Sequence, residues 1–179
     1  MPLPALAGDF QVKKAADWIQ HEYASAFKGS WRLDRSRALE YAKFIRIAAQ
    51  MNDIDPKRYL AQIAWESAFL NNIRDRKLPF HSWSYGLCGI QVETARQFYP
   101  KIAGRDLVEN YDLNIMLGAC QMRRLLNLTG NLQNAERAYN CGYAGMRHGQ
   151  GRTYPGSITT TEKKWKKFES EVPGDGNKN

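Results

Sequence analysis

The sequence predicts a mainly α-helical single domain, and three observations carry that prediction. Apolar residues recur at helical spacing along most of the chain, and no set of alternating strands competes with them. The chain has 179 residues, 43% of them hydrophobic and 25% charged, which is enough for one core and unlike a disordered composition. Its 14 glycines and 7 prolines follow no repeat, which excludes collagen-like and low-complexity architectures.

The elements follow in order. Lys13 to about Phe27 forms the first helix, with Ala16, Ile19, Tyr23 and Phe27 on one face and Gly29 beyond its end. Asp34, a strong N-cap residue, starts a second helix that runs to about Met51 with Ala38, Tyr41, Ile45 and Ala48 as its stripe. Asn52 and Asp53 turn the chain. Asp55-Pro56 then starts a third helix reaching about Phe69: Asp caps, and Pro fits a first turn where its missing N–H has no partner to lose. From Asn71 to Cys88 the periodicity gives way to a loop with Pro79, Ser82, Ser84 and Gly86, and Trp83–Gln91 has room for a small hairpin. Helical signals return from Val92 to Tyr99 and stop at Pro100.

Asp106 to Leu128 reads as one helix with Leu113, Leu117, Cys120 and Arg124 in register. Thr129-Gly130-Asn131 is a turn, and Leu132 to Asn140 a short helix. Gly142, Gly145, Gly149 and Gly151 loosen the chain through Pro155-Gly156. A last helix from about Thr161 to Val172 carries Trp165 and Phe168, and the tail from Pro173 to Asn179 is expected to fray.

The formal charge of +8 favours polyanionic partners: nucleic acid, an anionic membrane or the acidic bacterial cell wall. No apolar run is long enough to span a bilayer, and Met1 to Phe10 lacks the basic start and apolar centre of a signal peptide. Cys88, Cys120 and Cys141 lack metal-ligand spacing and are expected as free thiols, with one disulfide plus one free thiol as the alternative. His21, His81 and His148 share no metal spacing either, so no metal and no cofactor are expected.

Glu66 is the most informative residue. It sits in the third helix among Ile63, Ala64, Trp65, Ala68, Phe69 and Leu70, on a face shared with Tyr59 and Ile63. A carboxylate on an apolar stripe is costly to bury ionised, and desolvation raises its pKa toward the range a general acid needs near neutral pH. The bland alternative is a stripe-edge residue paired with an arginine, and the helix alone does not choose.

The surrounding motifs do. Ala64-Trp65-Glu66-Ser67-Ala68-Phe69 resembles the Glu-Ser-x-Phe signature of the lytic transglycosylases. Ser84-Tyr85-Gly86-Leu87-Cys88-Gly89-Ile90, leading to Thr94-Ala95, is similar to the family's Ser…Gly-Leu-Met-Gln-Ile…Thr-Ala segment. Asn114-Ile115-Met116-Leu117-Gly118-Ala119 resembles its Asn-Ile-x-x-Gly-Ala helix, and Ala138-Tyr139-Asn140-Cys141-Gly142 its Ala-Tyr-Asn-x-Gly motif. Each motif is weak alone, but the four stand in family order. Gly89 stands where the family carries Gln, and Val92 where it carries Pro. Gln121 replaces a common Tyr at a position expected to concern packing.

The resemblance implies a lysozyme-like fold of the goose-type lysozyme and soluble lytic transglycosylase kind. Residues 1–54 would supply N-terminal helices packing on a catalytic core of 55–172, with 173–179 a flexible tail. It implies cleavage of the β-1,4 bond between N-acetylmuramic acid and N-acetylglucosamine in peptidoglycan, with Glu66 as catalytic acid and base and a 1,6-anhydro-muramic product. By motif position Ser84 orients the substrate N-acetyl group or Glu66, or serves only a local turn. Tyr139 hydrogen-bonds Glu66 or the N-acetyl carbonyl, or is a core aromatic. Asn140 binds sugar or, favoured slightly, caps its helix. Gly89 and Ile90 line the substrate cleft, and Met116 packs.

A hydrolytic muramidase on the same scaffold is the alternative within enzymes, with Asp75 and Glu93 as the nearest candidate second carboxylates. A non-enzymatic basic module is the alternative outside them; Lys163-Lys164-Trp165-Lys166-Lys167 suits it, but reads better as a solvated helix face with Trp165 turned inward. Arg74, Arg76 and Lys77 suit either peptide-stem carboxylates or a plain loop. The expected partners are peptidoglycan glycan strands, with virion or secretion-machinery components as further candidates. No nucleic acid, no membrane insertion and a monomeric state are expected. Synthesis in the cytoplasm and action at the cell wall suit a phage endolysin or virion-borne enzyme, or one tied to secretion or conjugation.

Overall fold

The chain's helices follow from its caps and stripes. The computed structural model describes residues 10–27, 33–71 and 83–172. Among them lie α1 (Val12–Ala26), α2 (Arg35–Met51), α3 (Pro56–Ser67), α4 (Val92–Arg96), α5 (Gly104–Glu109), α6 (Tyr111–Thr129), α7 (Leu132–Arg147) and α8 (Tyr154–Glu171). The Asp34 side chain accepts from the Ser36 N–H at 3.3 Å to start α2, and Asp55 accepts from the Lys57 N–H at 2.8 Å to start α3. Ala16, Ile19 and Tyr23 on α1, and Ala38, Tyr41, Ile45 and Ala48 on α2, are all buried. The two helices pack on each other, and α2 also lies against α3 and α6. Helix α3 runs between this layer and α8, and α7 packs on both α6 and α8.

One aromatic cluster ties α1 to α8. Trp18 of α1 meets Trp165 of α8 with ring centroids 5.5 Å apart and Phe69, just past α3, at 5.9 Å. Trp165 is buried while Lys163, Lys164, Lys166 and Lys167 around it are exposed, so that basic run is a solvated face with an inward tryptophan. The three cysteines carry free thiols.

Several boundaries differ from the sequence reading. The stretch Asp106–Leu128 is two helices, broken at Asn110, whose backbone leaves the helical region (φ −109°, ψ 83°). The buried residues of α6 are Asn114, Ile115, Leu117, Gly118, Ala119, Met122 and Leu125; of the expected stripe Leu117 is thus buried, whereas Leu113 and Cys120 are half-buried and Arg124 is exposed. The small residues set that face: a Cβ on Gly118 would fall 2.6 Å from the Tyr59 hydroxyl, so α3 and α6 meet there. Helix α4 stops at Arg96, short of Tyr99. Helix α7 runs past Asn140 to Arg147, with a kink at Gly142, and α8 starts at Tyr154 with Pro155 in its first turn. The hairpin is a single antiparallel bridge between Tyr85 and Ile90. Gly29, Asp75, Pro79, His81, Ser82, the Arg74–Lys77 cluster and the tail 173–179 lie outside the described residues. Among the described residues no helix is long and apolar enough to cross a membrane.

Candidate active site

Glu66 occupies the last turn of α3, and the residues after it explain why it is held there. The helix ends in two left-handed non-glycine residues, Ala68 (φ 49°) and Phe69 (φ 60°). Such backbone costs of order 1–3 kcal/mol per residue and persists only where its surroundings fix it. Ser67 supplies part of that hold: its hydroxyl donates to the Ile63 carbonyl and accepts from the Phe69 N–H, both at 3.1 Å. Phe69, fully buried against Trp18, supplies the rest. The Ser and Phe of the Glu-Ser-x-Phe motif thus act on backbone and core, while Glu66 reaches the surface.

Facing it is the turn between Tyr85 and Ile90. These two exchange backbone hydrogen bonds of 2.9 and 3.1 Å, and Gly86 (φ 71°) and Gly89 (φ 59°) carry the left-handed corners. Buried Asn114 of α6 pegs this turn: its Nδ2 donates to the Tyr85 carbonyl at 3.0 Å and its Oδ1 accepts from the Cys88 N–H at 2.9 Å. The Tyr139 hydroxyl of α7 donates to the Cys88 carbonyl at 2.9 Å. Both backbone groups of Cys88 are therefore tied to helices, and Gly89 is brought under the catalytic candidate. A Cβ on Gly89 would lie 3.1 Å from Glu66 Oε2.

The result is a cleft of about 460 Å³. It is lined by every residue the sequence reading assigned to the site: Glu66, Ser84, Gly89, Ile90, Tyr139 and Asn140. Glu66 is the one carboxylate among the described residues lining it. Burial raises its pKa, and a hydrogen bond donated by the Tyr154 hydroxyl to Oε1 opposes that rise without cancelling it. Burial pushes the Cys88 thiol up to about 12, so it stays protonated and is no nucleophile near neutral pH. Burial also raises Tyr139 and Tyr154, with the Glu66 charge adding to both, so these phenols remain donors.

Three expectations need correction. Tyr139 does not hydrogen-bond Glu66; its hydroxyl is drawn to the Cys88 carbonyl, which the tight turn leaves without a strand partner. The partner of Glu66 is Tyr154, the first residue of α8, which sequence reasoning missed by placing the start of that helix at Thr161. Asn140 does not cap its helix, because α7 continues past it. Gln121, expected to pack, lines the cleft with its carboxamide oxygen buried and without a hydrogen-bond partner among the described residues. Trp83, Gln91 and Thr94, to which the sequence reading gave no binding role, also line the cleft, and Trp83 is 86% exposed. Of the candidate second carboxylates, Glu93 is exposed on α4 and does not line the cleft, while Asp75 lies outside the described residues.

A family model described as Transglycosylase SLT domain matches residues 43–160, from within α2 to the first turns of α8. Comparison with curated proteins gave no match, and comparison with solved structures gave none.

Proposed function

Because the chain belongs to the transglycosylase SLT domain family, whose mainly α, lysozyme-like fold acts on peptidoglycan, we propose that it is a lytic transglycosylase with Glu66 as its single catalytic group. The bond cleaved is the β-1,4 link from N-acetylmuramic acid to N-acetylglucosamine. The observation that carries the reading is the lone, half-buried carboxyl in a cleft whose other described lining groups are neutral.

In this mechanism Tyr154 occupies Oε1, so Oε2, beside Gly89, carries the proton into the cleft. Protonated Glu66 donates to the glycosidic oxygen as an oxocarbenium-like muramyl centre develops. The carboxylate left behind takes the proton of the muramic 6-hydroxyl, whose oxygen bonds to the anomeric carbon. The proton count closes: one leaves Glu66 for the departing sugar, and one returns from the 6-hydroxyl. No water enters, because an intramolecular hydroxyl has an effective concentration far above that of an external nucleophile. Ser84, Asn140 and the unpartnered Gln121 oxygen supply polar contacts for N-acetyl and hydroxyl groups, and exposed Trp83 offers a ring face to the apolar side of a sugar.

Mass spectrometry of muropeptides from digested sacculi tests this. The expected products carry 1,6-anhydro-muramic ends, lacking the water that hydrolysis adds, and Asp75→Asn and Glu93→Gln keep most activity. Reducing muramic acid termini alone, with activity lost in either variant, would make the enzyme a hydrolytic muramidase.

A further inference from the structure

Away from the cleft the molecule buries an ionic cluster that the reaction does not use. Arg58 stands two turns before Glu66 on α3, with its side chain 11% exposed. Its five N–H groups meet five acceptors. Nε and Nη2 fork onto Glu136 of α7 at 2.6 and 2.8 Å. Nη1 donates to Glu162 at 2.9 Å and to the Thr159 hydroxyl at 3.0 Å, both on α8. The remaining Nη2 hydrogen reaches the Pro155 carbonyl at 3.3 Å, and Thr159 donates to the same carbonyl at 2.9 Å. A buried cluster of this kind adds little stability over well-packed apolar side chains. What it fixes is geometry, since a guanidinium with every donor engaged admits one arrangement of its neighbours.

That arrangement sets the first turn of α8. The turn has no side-chain cap at Thr153, and uncapped helix starts fray. Yet its first residue, Tyr154, is the one that donates to Glu66 Oε1, and Pro155, the next residue, is the one Arg58 holds. Resting on the reading of Glu66 as acid and base, we propose that Arg58 is a positioning residue: it clamps the start of α8 to α3 and α7, and so keeps the Tyr154 hydroxyl on the Glu66 carboxyl. The clamp and the carboxyl share one helix, so the spacing between them is set by α3 itself.

The consequence appears in the protonation of Glu66. The groups facing that carboxyl are Tyr154 from α8, Tyr139 from α7 and Cys88 from the turn before α4. Burial keeps all three neutral across the working range, so Tyr154 acts on Glu66 through its hydrogen bond. That bond favours the ionised carboxyl, so losing it raises the Glu66 pKa. Since cleavage requires protonated Glu66, its alkaline limit moves to higher pH by the same amount.

The experiment follows the Glu66 carboxyl directly, by side-chain carbon NMR of 13C-labelled full-length protein, alongside the pH profile of sacculus digestion. Tyr154→Phe is expected to raise the titration. Arg58→Met combined with Glu136→Met, which removes one charge of each sign and leaves an apolar pair, is expected to raise it likewise. The two changes together give no more than Tyr154→Phe alone, whereas a through-space charge effect would persist without the Tyr154 hydroxyl. Arg58→Lys keeps the charge but loses the fork; it is expected to shift the titration in the same direction, and decides the matter should the apolar pair fail to fold. A Glu66 titration at its wild-type position in a folded Arg58 variant, or in Tyr154→Phe, overturns the clamp even with digestion intact. The expected shifts in a protein that releases no muropeptides would keep the clamp and overturn the proposed reaction.

Discussion

At the scale of single residues, burial sets the behaviour of Glu66. Its folded-state pKa is raised from the ordinary carboxylate value because desolvation outweighs the Tyr154 hydrogen bond. Between the ordinary and the raised value the folded chain holds a proton that the unfolded chain has released, so stability falls as pH rises through that window, and the full cost remains above it. Glu66→Gln removes the ionisation. Its thermal midpoint should therefore exceed wild type above the window and converge with it at pH below the ordinary carboxylate range, while lytic activity drops by orders of magnitude throughout. Calorimetry and turbidity clearing of sacculi across pH check both; near-wild-type clearing by the folded variant would remove Glu66 from the mechanism. Glu66 was legible because a carboxylate among Ile63, Ala64 and Phe69 is an anomaly within one helix. Tyr154 was not, because it lies 88 positions away and nothing in its neighbourhood marks it as a donor. Tyr139 lines the cleft but bonds the Cys88 carbonyl and not Glu66, since a sequence motif names a residue type and not the carbonyl its hydroxyl will satisfy.

At the scale of elements, helices with a cap and an uninterrupted stripe were read closely. Asp34 and Asp55 mark the starts of α2 and α3 as expected, since each cap is a local side-chain contact. The errors gather where tertiary packing overrides local signals: the break at Asn110, the run of α7 past Asn140 and the early start of α8. The glycines after Asn140 suggest an end, yet most of that stretch stays helical and the departure is concentrated in Gly142, at φ 76° and ψ 159°. That region of backbone space is nearly exclusive to glycine, at a cost of about 1–3 kcal/mol for other residues. A Cβ there would meet nothing within 4 Å, so Gly142→Ala isolates the backbone cost from any clash. The expected result is destabilisation of that order in denaturant, with a larger loss than Gly130→Ala, which also adds its Cβ to open space but needs only an ordinary left-handed helix cap (φ 74°, ψ −4°). Because Asn140 and Cys141 line the cleft just before the kink, a partial loss of activity should accompany it. Equal costs at the two glycines would mean that α7 straightens without strain.

At the scale of the whole molecule, the fold spends its polar groups on fixing one cleft, and its surface charge is left for the substrate. The groups that shape the cleft, Asn114, Tyr139, Tyr154 and the Arg58 cluster, are bonded within the protein and are not available to attract a distant polymer. Exposed Lys163 and Lys164, by contrast, belong to an excess of positive charge that totals +8 across the chain. Attraction between such a surface and an anionic wall acts over the screening length, which shrinks from about 30 Å at 0.01 M salt to about 3 Å at 1 M. Pelleting of the protein with purified sacculi should therefore weaken steeply as salt rises. Reversing both lysines, Lys163→Glu with Lys164→Glu, halves the formal charge and should flatten that dependence while lowering binding at low salt. Cleavage of a short soluble glycan that fits within the cleft should change far less in either case, because the lining around Glu66 is neutral and its hydrogen bonds are local. Sacculus binding that ignores salt, or a charge-reversed protein that binds as tightly as wild type at low salt, would mean that the wall is held through the cleft contacts and not through the field of the basic surface.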